Sequence, residues 1–384
     1  MNFTALDNYL NKEKITCLPG TDCKIYYKHK PVYRHTTGYM DTETKEPLKP
    51  DAKYFIFSGT KPITCTAALT LYEKGEFLLS DNLCEYIPEF RDMYVKVYNE
   101  DGSYDVKKAE RPIKIVDLFT MSAGFSYNIE YDAIKRIKAQ TNGECPTLDL
   151  IKELAKEPLE FEPGTRFCYS LCHDILGGLI EVISGKTLGE FMKETIFEPI
   201  GMKNTSFAIP EEEYKNMPSF YHEGSPVGNI RKTEKRNMFV FGSKYESGGA
   251  GLISTTDDYA AFAECLCNNG FTKNGDNIIS QATIDLMRTN HLDSARLADF
   301  HANNPLHRIG YGYGLGVRTM IDRVQGGING SVGEFGWPGA AGSYSLIDPQ
   351  KELAVVFLQH TMGMNTLWTV HPRLRNIIYA CLDK

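Results

Sequence analysis

The spacing of apolar and polar residues divides this chain into segments whose secondary structure can be predicted. Residues 1–12 have the pattern of an amphipathic helix, and residues 24–39 indicate a β-hairpin with polar residues at its turn. From residue 58 to about 270 the pattern is mostly helical. One segment there, Ile63 to Tyr72, is apolar almost all round, as in a buried helix. We therefore expect a strand pair near the beginning of the chain, followed by a long helical part.

After about residue 305 the pattern changes to glycine-rich strands. Residues 311–317 alternate, and residues 343–347 and 353–358 indicate two paired strands joined by a short turn. Residues 369–381 predict a closing helix. Strands at both ends with helices between them predict one antiparallel sheet assembled from the two termini.

These elements predict an α/β (α+β) fold, in which the antiparallel sheet is flanked by helices and a mainly helical domain is inserted. The whole chain, residues 1–384, forms one unit in this interpretation. Residues 1–60 and 290–384 make its α/β sandwich part, and residues 61–289 make its mainly helical part.

Composition narrows the possible partners. The chain is 42% hydrophobic and 24% charged, as ordinary globular proteins are. A net charge of -7 without a basic tract argues against a nucleic-acid partner. No apolar run approaches the length of a membrane span, and the first ten residues lack the pattern of a secretory signal. We expect a cytoplasmic protein with no membrane partner, and the oligomeric state stays open.

The 10 cysteines are scattered along the chain and do not resemble a disulfide framework. They are expected to be reduced, and most of them to lie in the core. Cys168, Cys172 and His173 are close enough in sequence to suggest a metal site, but no second ligand pair at a zinc-like spacing accompanies them. We predict no metal and no cofactor.

The candidate chemistry begins at Ser58 and Lys61. Pro62 is costly in the middle of a helix, so the buried helix should begin close to Ser58, and Lys74-Gly75 should end it. Residues three apart on a helix are neighbours, so the Lys61 amine can reach the Ser58 hydroxyl. A serine hydroxyl is a weak nucleophile until a base accepts its proton. The alternative is a helix-capping serine followed by an exposed lysine.

Two further segments have both a chemical and a structural interpretation. Tyr169, between a turn and a helix, can shuttle a proton if it lies beside a lysine, or it can be one more packed tyrosine. The small residues of segment 336–342 can let a substrate carbonyl approach a strand edge, where a backbone N–H donates to an oxyanion. They can equally relieve crowding at a bend. Segment 245–252 indicates a tight turn.

Taken together and in order, these motifs resemble those of the serine β-lactamases, penicillin-binding proteins and related esterases. The likeness is greatest to the class C-like branch, which includes carboxylesterases and acyltransferases. The motifs are Ser58-x-x-Lys61, Tyr169-Ser170, Gly248 to Thr255, Tyr311 to Gly316, Trp337-Pro338-Gly339 and Asp348-Pro349.

The resemblance implies a two-part fold with the active site in the cleft between the parts. It implies Ser58 as the nucleophile, with Lys61 and Tyr169 as the pair that handles its proton. It also implies that the backbone N–H groups of Ser58 and Ala340 form the oxyanion hole. Which of Lys61 and Tyr169 is the base is left open.

Two departures from the family pattern bear on the substrate. The penicillin-recognising members carry Lys-Thr-Gly where this chain has Trp337-Pro338-Gly339, so a contact to a carboxylate of about 1.5–3 kcal/mol is missing. They also carry Tyr-x-Asn, and here the third position is Leu171. We expect these four residues to line the substrate pocket, with an apolar wall at Trp337.

Both departures favour a small-molecule acyl substrate other than a β-lactam. The first hypothesis is a serine carboxylesterase for small or medium neutral acyl esters. The alternatives are an acyltransferase that uses the same acyl-enzyme and a weak β-lactamase or D-amino-acid peptidase. A non-catalytic binding module is disfavoured, because it would not need Ser58, Lys61 and Tyr169 together.

Overall fold

A computed structural model describes residues 1–11, 18–224, 228–302, 308–363 and 366–383. The strands are β1 (Gly20–Tyr27), β2 (Lys30–Asp41), β3 (Glu46–Pro47), β4 (Lys53–Phe55), β5 (Tyr94–Tyr98), β6 (Tyr104–Lys108), β7 (Phe220–Glu223), β8 (Ile230–Thr233), β9 (Ile253–Thr255), β10 (Tyr311–Tyr313), β11 (Arg318–Met320), β12 (Phe335–Gly336), β13 (Tyr344–Asp348), β14 (Leu353–Gln359) and β15 (Thr361–Met362).

The helices are α1 (Thr4–Leu10), α2 (Thr60–Glu73), α3 (Ile115–Phe119), α4 (Asp132–Gln140), α5 (Thr147–Leu154), α6 (Cys172–Ser184), α7 (Leu188–Met192), α8 (Glu198–Ile200), α9 (Thr256–Cys267), α10 (Gln281–Met287), α11 (Ser294–Ala302), α12 (Arg323–Gly326) and α13 (His371–Leu382). Within the described part of the chain, no helix has the length and apolar character needed to cross a membrane.

An antiparallel sheet joins the two ends of the chain. Its strand order is β10-β11-β12-β13-β14-β1-β2-β3, so β1 from the N-terminal part pairs with β14 from the C-terminal part. Every residue of β14 is buried, because the sheet is covered on both faces. Val355 and Phe357 pack with α1 and α13, whereas Val356 and Leu358 belong to the large core that includes α9. The predicted antiparallel sheet built from both termini and flanked by helices is confirmed.

The local predictions are confirmed at several elements. β1 and β2 form the expected hairpin, β13 pairs with β14, and α13 closes the chain. The predicted first helix is present as α1, and position 12 of that prediction lies outside the described residues.

Two features differ from the sequence pattern. The alternating run 311–317 is a strand only as far as Tyr313, because Gly316 has a φ of +85° and the chain turns there, with the Gly314 N–H donating to the Val317 carbonyl. The middle of the chain also contains strands, including the β5–β6 and β7–β8 pairs. The β5–β6 pair is an exposed ribbon, on which Tyr98 and Tyr104 remain partly open to solvent. Because neither strand has a buried face, the sequence shows no clear alternation of apolar and polar residues there.

Candidate active site

Ser58 lies at the junction between a short strand pair and the buried helix. β4 pairs with β9, and the chain then makes a single 3₁₀ turn, Phe57–Gly59, that leads directly into α2. Phe57 has a φ of +46°, a left-handed conformation that a bulky residue rarely adopts. The first N–H groups of a helix have no intrahelical partners, so the backbone around Ser58 presents donors. The predicted helix start near Ser58 is confirmed.

Lys61, one turn further on, is completely buried. Its Nζ atom lies 2.7 Å from the Gly249 carbonyl oxygen and 3.4 Å from Ser58 Oγ. A third hydrogen bond, of 3.3 Å, goes to the Tyr127 hydroxyl. A carbonyl can only accept, so one N–H of Lys61 is committed to Gly249. The amine is thereby held against two hydroxyls that can both accept and donate, which is the geometry that a base for Ser58 requires.

Aromatic rings enclose the Lys61 amine. Its Nζ atom lies 4.6 Å from the centre of the Tyr169 ring and 5.1 Å from that of Tyr127. The Tyr127 and Tyr169 rings stack at 5.3 Å, and Trp337 stacks on the other side of Tyr169 at 5.4 Å. Ring faces attract a cation, so the aromatic stack favours a positive charge on the Lys61 amine.

The two tyrosines have different hydrogen-bond partners. The Tyr169 hydroxyl accepts a hydrogen bond of 3.1 Å from Trp337 Nε1, and its ring, rather than its hydroxyl, faces Lys61. Tyr127 accepts directly from Lys61. Desolvation, and secondarily the nearby Tyr169, raises the pKa of Tyr127 well above its usual value, so Tyr127 keeps its proton at neutral pH. Its contact with Lys61 was not predicted, because no spacing in the sequence links residues 61 and 127.

A glycine loop before β9 positions the lysine. Asp174, buried at the start of α6, accepts hydrogen bonds from Ser247 Oγ at 2.6 Å and from the Tyr245 hydroxyl at 2.8 Å. Burial raises the pKa of Asp174. A Cβ atom on Gly249 would lie 2.5 Å from Asp174 Oδ2, so only glycine fits between that carboxyl group and Lys61. The segment expected to be merely a tight turn therefore supplies the acceptor that fixes Lys61.

A second loop, between β12 and β13, is fixed against the Ser58 turn. Ser343 Oγ donates to the Ile56 carbonyl at 2.8 Å, and a Cβ atom on Gly339 would lie 2.2 Å from the same oxygen. This close approach places Ala340 in the wall of the cavity that contains Ser58. In the described chain no hydrogen bond occupies the Ala340 N–H. That group is available to an oxyanion formed at Ser58.

The cavity beside Ser58 has a volume of about 420 Å³. Of the residues predicted to line the pocket, Trp337, Pro338 and Gly339 do so. Leu171 does not, because its side chain is buried in the large core just before α6. A larger cavity of about 740 Å³ lies elsewhere, between the α5–α6 region and the segment before β9, and Ser58 is not in its wall.

Trp337 is an apolar part of the cavity wall, but a cation that was not expected lies beside it. The guanidinium of Arg308 lies 5.8 Å from the centre of the Trp337 ring, and Arg308 lines the same cavity as Ser58. The departure from the Lys-Thr-Gly motif concerns only the position of Trp337. Arg308 reaches the cavity from the segment before β10, and no motif marks it.

Cys168, Cys172 and His173 have separate structural partners. Cys172 accepts a hydrogen bond from Ser170 Oγ, and a ring nitrogen of His173 lies 3.2 Å from the Phe119 carbonyl. Burial, with a smaller contribution from Lys61, lowers the pKa of His173 to about 3, so the ring is neutral at pH 7. Across the described residues, no group of three or more His, Cys, Asp or Glu side chains is placed to hold a metal ion.

Comparisons with known proteins show the family to which the chain belongs. Residues 16–380 match the family model described as Beta-lactamase. Esterase EstB of Burkholderia gladioli is 27% identical over 374 residues, which cover 91% of this chain and 88% of EstB. Lovastatin esterase of Penicillium rubens is 29% identical over 346 residues, which cover 84% of this chain and 82% of that enzyme.

A solved structure shows the same fold. EstCE1, described as a hydrolase with promiscuous acyltransferase activity, matches with a TM-score of 0.76 and 23% identity. The match covers 98% of this chain and 100% of EstCE1.

The Tyr169 ring lies over the Lys61 amine and Tyr169 lines the same cavity as Ser58, and this proximity predicts that Lys61 and Tyr169 act as one unit. Groups that work together have non-additive effects on turnover. We expect the double variant Lys61→Ala with Tyr169→Phe to lose little more kcat than the more damaged single variant. The measurement is kcat for an aryl ester with the unmodified enzyme, the two single variants and the double variant. Losses that multiply would show that the two residues act independently.

The close packing at Gly249 predicts that Gly249→Ala reduces turnover. The added methyl group displaces either Asp174 or the carbonyl that holds Lys61, and a misplacement of about 1 Å can cost about 100-fold. We expect kcat to fall at least about tenfold. Gly326→Ala is the control, because the nearest neighbour of its Cβ atom would be the flexible Met320 side chain, at 3.3 Å, and the nearest backbone atom, the Ile309 carbonyl oxygen, would lie at an ordinary contact distance of 3.6 Å. Equal activity of the two variants would contradict the positioning role of the loop.

Proposed function

Because the chain belongs to the β-lactamase family, and two of its relatives are esterases, we propose that it is a carboxylesterase that forms an acyl-enzyme on Ser58. Its substrates in this proposal are small-molecule esters of small or medium, uncharged acyl groups. The observation that carries the proposal is the 3.4 Å contact between Lys61 Nζ and Ser58 Oγ, with the amine held in place by the Gly249 carbonyl.

The reaction proceeds in two steps. Ser58 Oγ attacks the ester carbonyl while its proton passes to the pair formed by Lys61 and Tyr169, and the N–H groups of Ser58 and Ala340 stabilise the oxyanion. The carbon–oxygen bond to the alcohol then breaks, and the alcohol leaves with the proton. Water attacks the acyl-enzyme in the second step, releases the acid and restores the Ser58 hydroxyl.

The volume and the lining of the cavity support a small substrate. A volume of about 420 Å³ is within the range of small-molecule sites, and one side of the cavity carries the stacked rings of Tyr169 and Trp337. An uncharged acyl group loses little hydration there and gains apolar contact.

Acyl transfer is the second candidate. It needs the same acyl-enzyme, with an alcohol or amine in place of water, and the name of EstCE1 combines both activities. The products formed when an alcohol is added to the assay distinguish the two, since a transferase makes a new ester and an esterase makes acid.

We also propose that the protein works in the cytoplasm. Eight cysteines within the described residues are free: Cys23, Cys65, Cys84, Cys145, Cys168, Cys172, Cys265 and Cys267. This number of free thiols supports a reducing compartment, because cysteines in oxidising compartments tend to form disulfides.

The proposal predicts that Ser58 is the only residue modified by a fluorophosphonate. We expect Ser58→Ala to abolish labelling and to lower ester turnover by about three orders of magnitude or more, because Ser58 is the only serine among the described residues that is hydrogen-bonded to Lys61. Ser103→Ala, in the exposed turn between β5 and β6, is the control and should be labelled normally. Labelling of another residue in the Ser58→Ala protein would refute the assignment.

The pocket also predicts selectivity against penicillins. The fused rings of benzylpenicillin hold its carboxylate at a fixed position relative to the reactive carbonyl. At the place where relatives offer a lysine, this chain has an indole ring, and a desolvated carboxylate gains no partner from it. We expect kcat/KM for p-nitrophenyl butyrate to exceed that for benzylpenicillin by at least about 100-fold on the same preparation. Comparable values would indicate a β-lactamase instead.

A further inference from the structure

A buried guanidinium stands in the wall of the Ser58 cavity. Arg308 is only 7% exposed, and what remains accessible opens onto the cavity that Ser58, Tyr169 and Trp337 also line. It precedes β10 and takes no part in the reaction described above.

The protein provides few hydrogen-bond acceptors for the Arg308 guanidinium. Arg308 Nη1 donates to the Phe300 carbonyl at 3.3 Å, and Nε is buried without a hydrogen-bond partner among the described residues. Otherwise the guanidinium is surrounded by the faces of rings. Their centres lie 4.8–6.0 Å from its central carbon, and they belong to Phe167, Tyr169, Phe300 and Trp337.

No carboxylate pairs with Arg308 in the described chain. The residues that precede it in sequence, Asn303 to His307, include no Asp or Glu. Glu223 lines the same cavity, yet it forms no ion pair with Arg308. The buried Arg375, by contrast, has Glu334 at 3.6 Å.

A buried charge is costly unless it is paired, and ring faces compensate only part of that cost. A cation kept without a carboxylate at a substrate cavity is therefore suited to an anion that arrives with the substrate. The planar fork of guanidinium donors fits a carboxylate. We propose that Arg308 is a specificity-determining residue that binds a carboxylate carried by the substrate, in addition to the ester group that reacts at Ser58.

The charge is present under working conditions. Burial lowers the pKa of Arg308 to about 10, and the nearby Tyr169 and Tyr313 act in the opposite direction. The side chain is thus protonated at neutral pH. A flexible substrate can direct its carboxylate to Arg308, whereas a fused bicyclic ring cannot adjust the position of its own.

This inference rests on the proposed function, because it assigns the anion to a substrate of Ser58. The carboxylate can belong to the acyl part or to the alcohol part of that substrate. An acyl carboxylate would revise the uncharged acyl group proposed above and leave the role of Arg308 intact.

Two matched pairs of esters distinguish these sources. The acyl pair is mono-p-nitrophenyl adipate and p-nitrophenyl 6-methylheptanoate, in which an isopropyl group replaces the carboxylate. The alcohol pair is 4-carboxyphenyl butyrate and 4-carbamoylphenyl butyrate, in which an amide replaces it. The measured quantity is kcat/KM for the charged and the neutral member of each pair.

In the unmodified enzyme we expect the charged member of one pair to be the better substrate. Arg308→Met keeps the length of the side chain and removes its charge. It should lower kcat/KM for the charged ester at least about tenfold and change kcat/KM for the matched neutral ester less than about threefold. Arg308→Lys should retain part of the preference. Arg166→Met is the control, because Arg166 is exposed, pairs with Asp299 and lies outside this cavity.

The proposal is overturned if the unmodified enzyme prefers the neutral ester in both pairs. It is also overturned if Arg308→Met lowers kcat/KM equally for both members of each pair, since that result would mean that Arg308 only packs against the rings. Neither outcome depends on the nucleophile, because failure of the proposed function would appear instead as full turnover by Ser58→Ala.

Discussion

The burial of Lys61 is the constraint on which the site depends. An amine placed in the protein interior needs acceptors, and among the described residues it has no carboxylate within ion-pair distance. One backbone carbonyl and two hydroxyls satisfy it, and two aromatic faces cover it. Ser58 lies on the same turn as Lys61, whereas Tyr127, Tyr169 and Gly249 come from distant parts of the chain, so the fold must bring these three residues to the lysine.

The elements around the site hold these groups in place. The β4–β9 pair brings the Ser58 turn beside the glycine loop, and the loop is braced by Asp174 at the start of α6. Ser343 ties the loop that contains Ala340 to the other side of the same turn. The helix that bears Lys61 therefore has its first turn fixed from both sides. This explains why two glycines, Gly249 and Gly339, stand where a Cβ atom would collide with a neighbour.

Sequence reasoning could identify the family and the residues with local spacing. Ser58 and Lys61 lie on one turn, so their contact follows from helix geometry, and Trp337 was recognised because it replaces a familiar lysine. The sheet was predictable because β13 and β14 carry strong apolar patterns. Tyr127 and Arg308 are different, since each reaches the site only through tertiary packing. Gly249 belongs to a recognised motif, but the motif did not indicate that its carbonyl accepts a hydrogen bond from Lys61. Leu171 shows the opposite error, because a motif position does not determine whether its side chain faces a cavity or the core.

The central claim is that Ser58 carries the acyl group during turnover. It is tested most directly by acid quenching of the enzyme during steady hydrolysis of p-nitrophenyl butyrate, followed by peptide mass spectrometry. The account predicts one butyryl group on the peptide that contains Ser58, formed at the rate at which p-nitrophenol is released in the first turnover. A first-turnover release of p-nitrophenol with no acyl group on that peptide, or with the group on another residue, would contradict it.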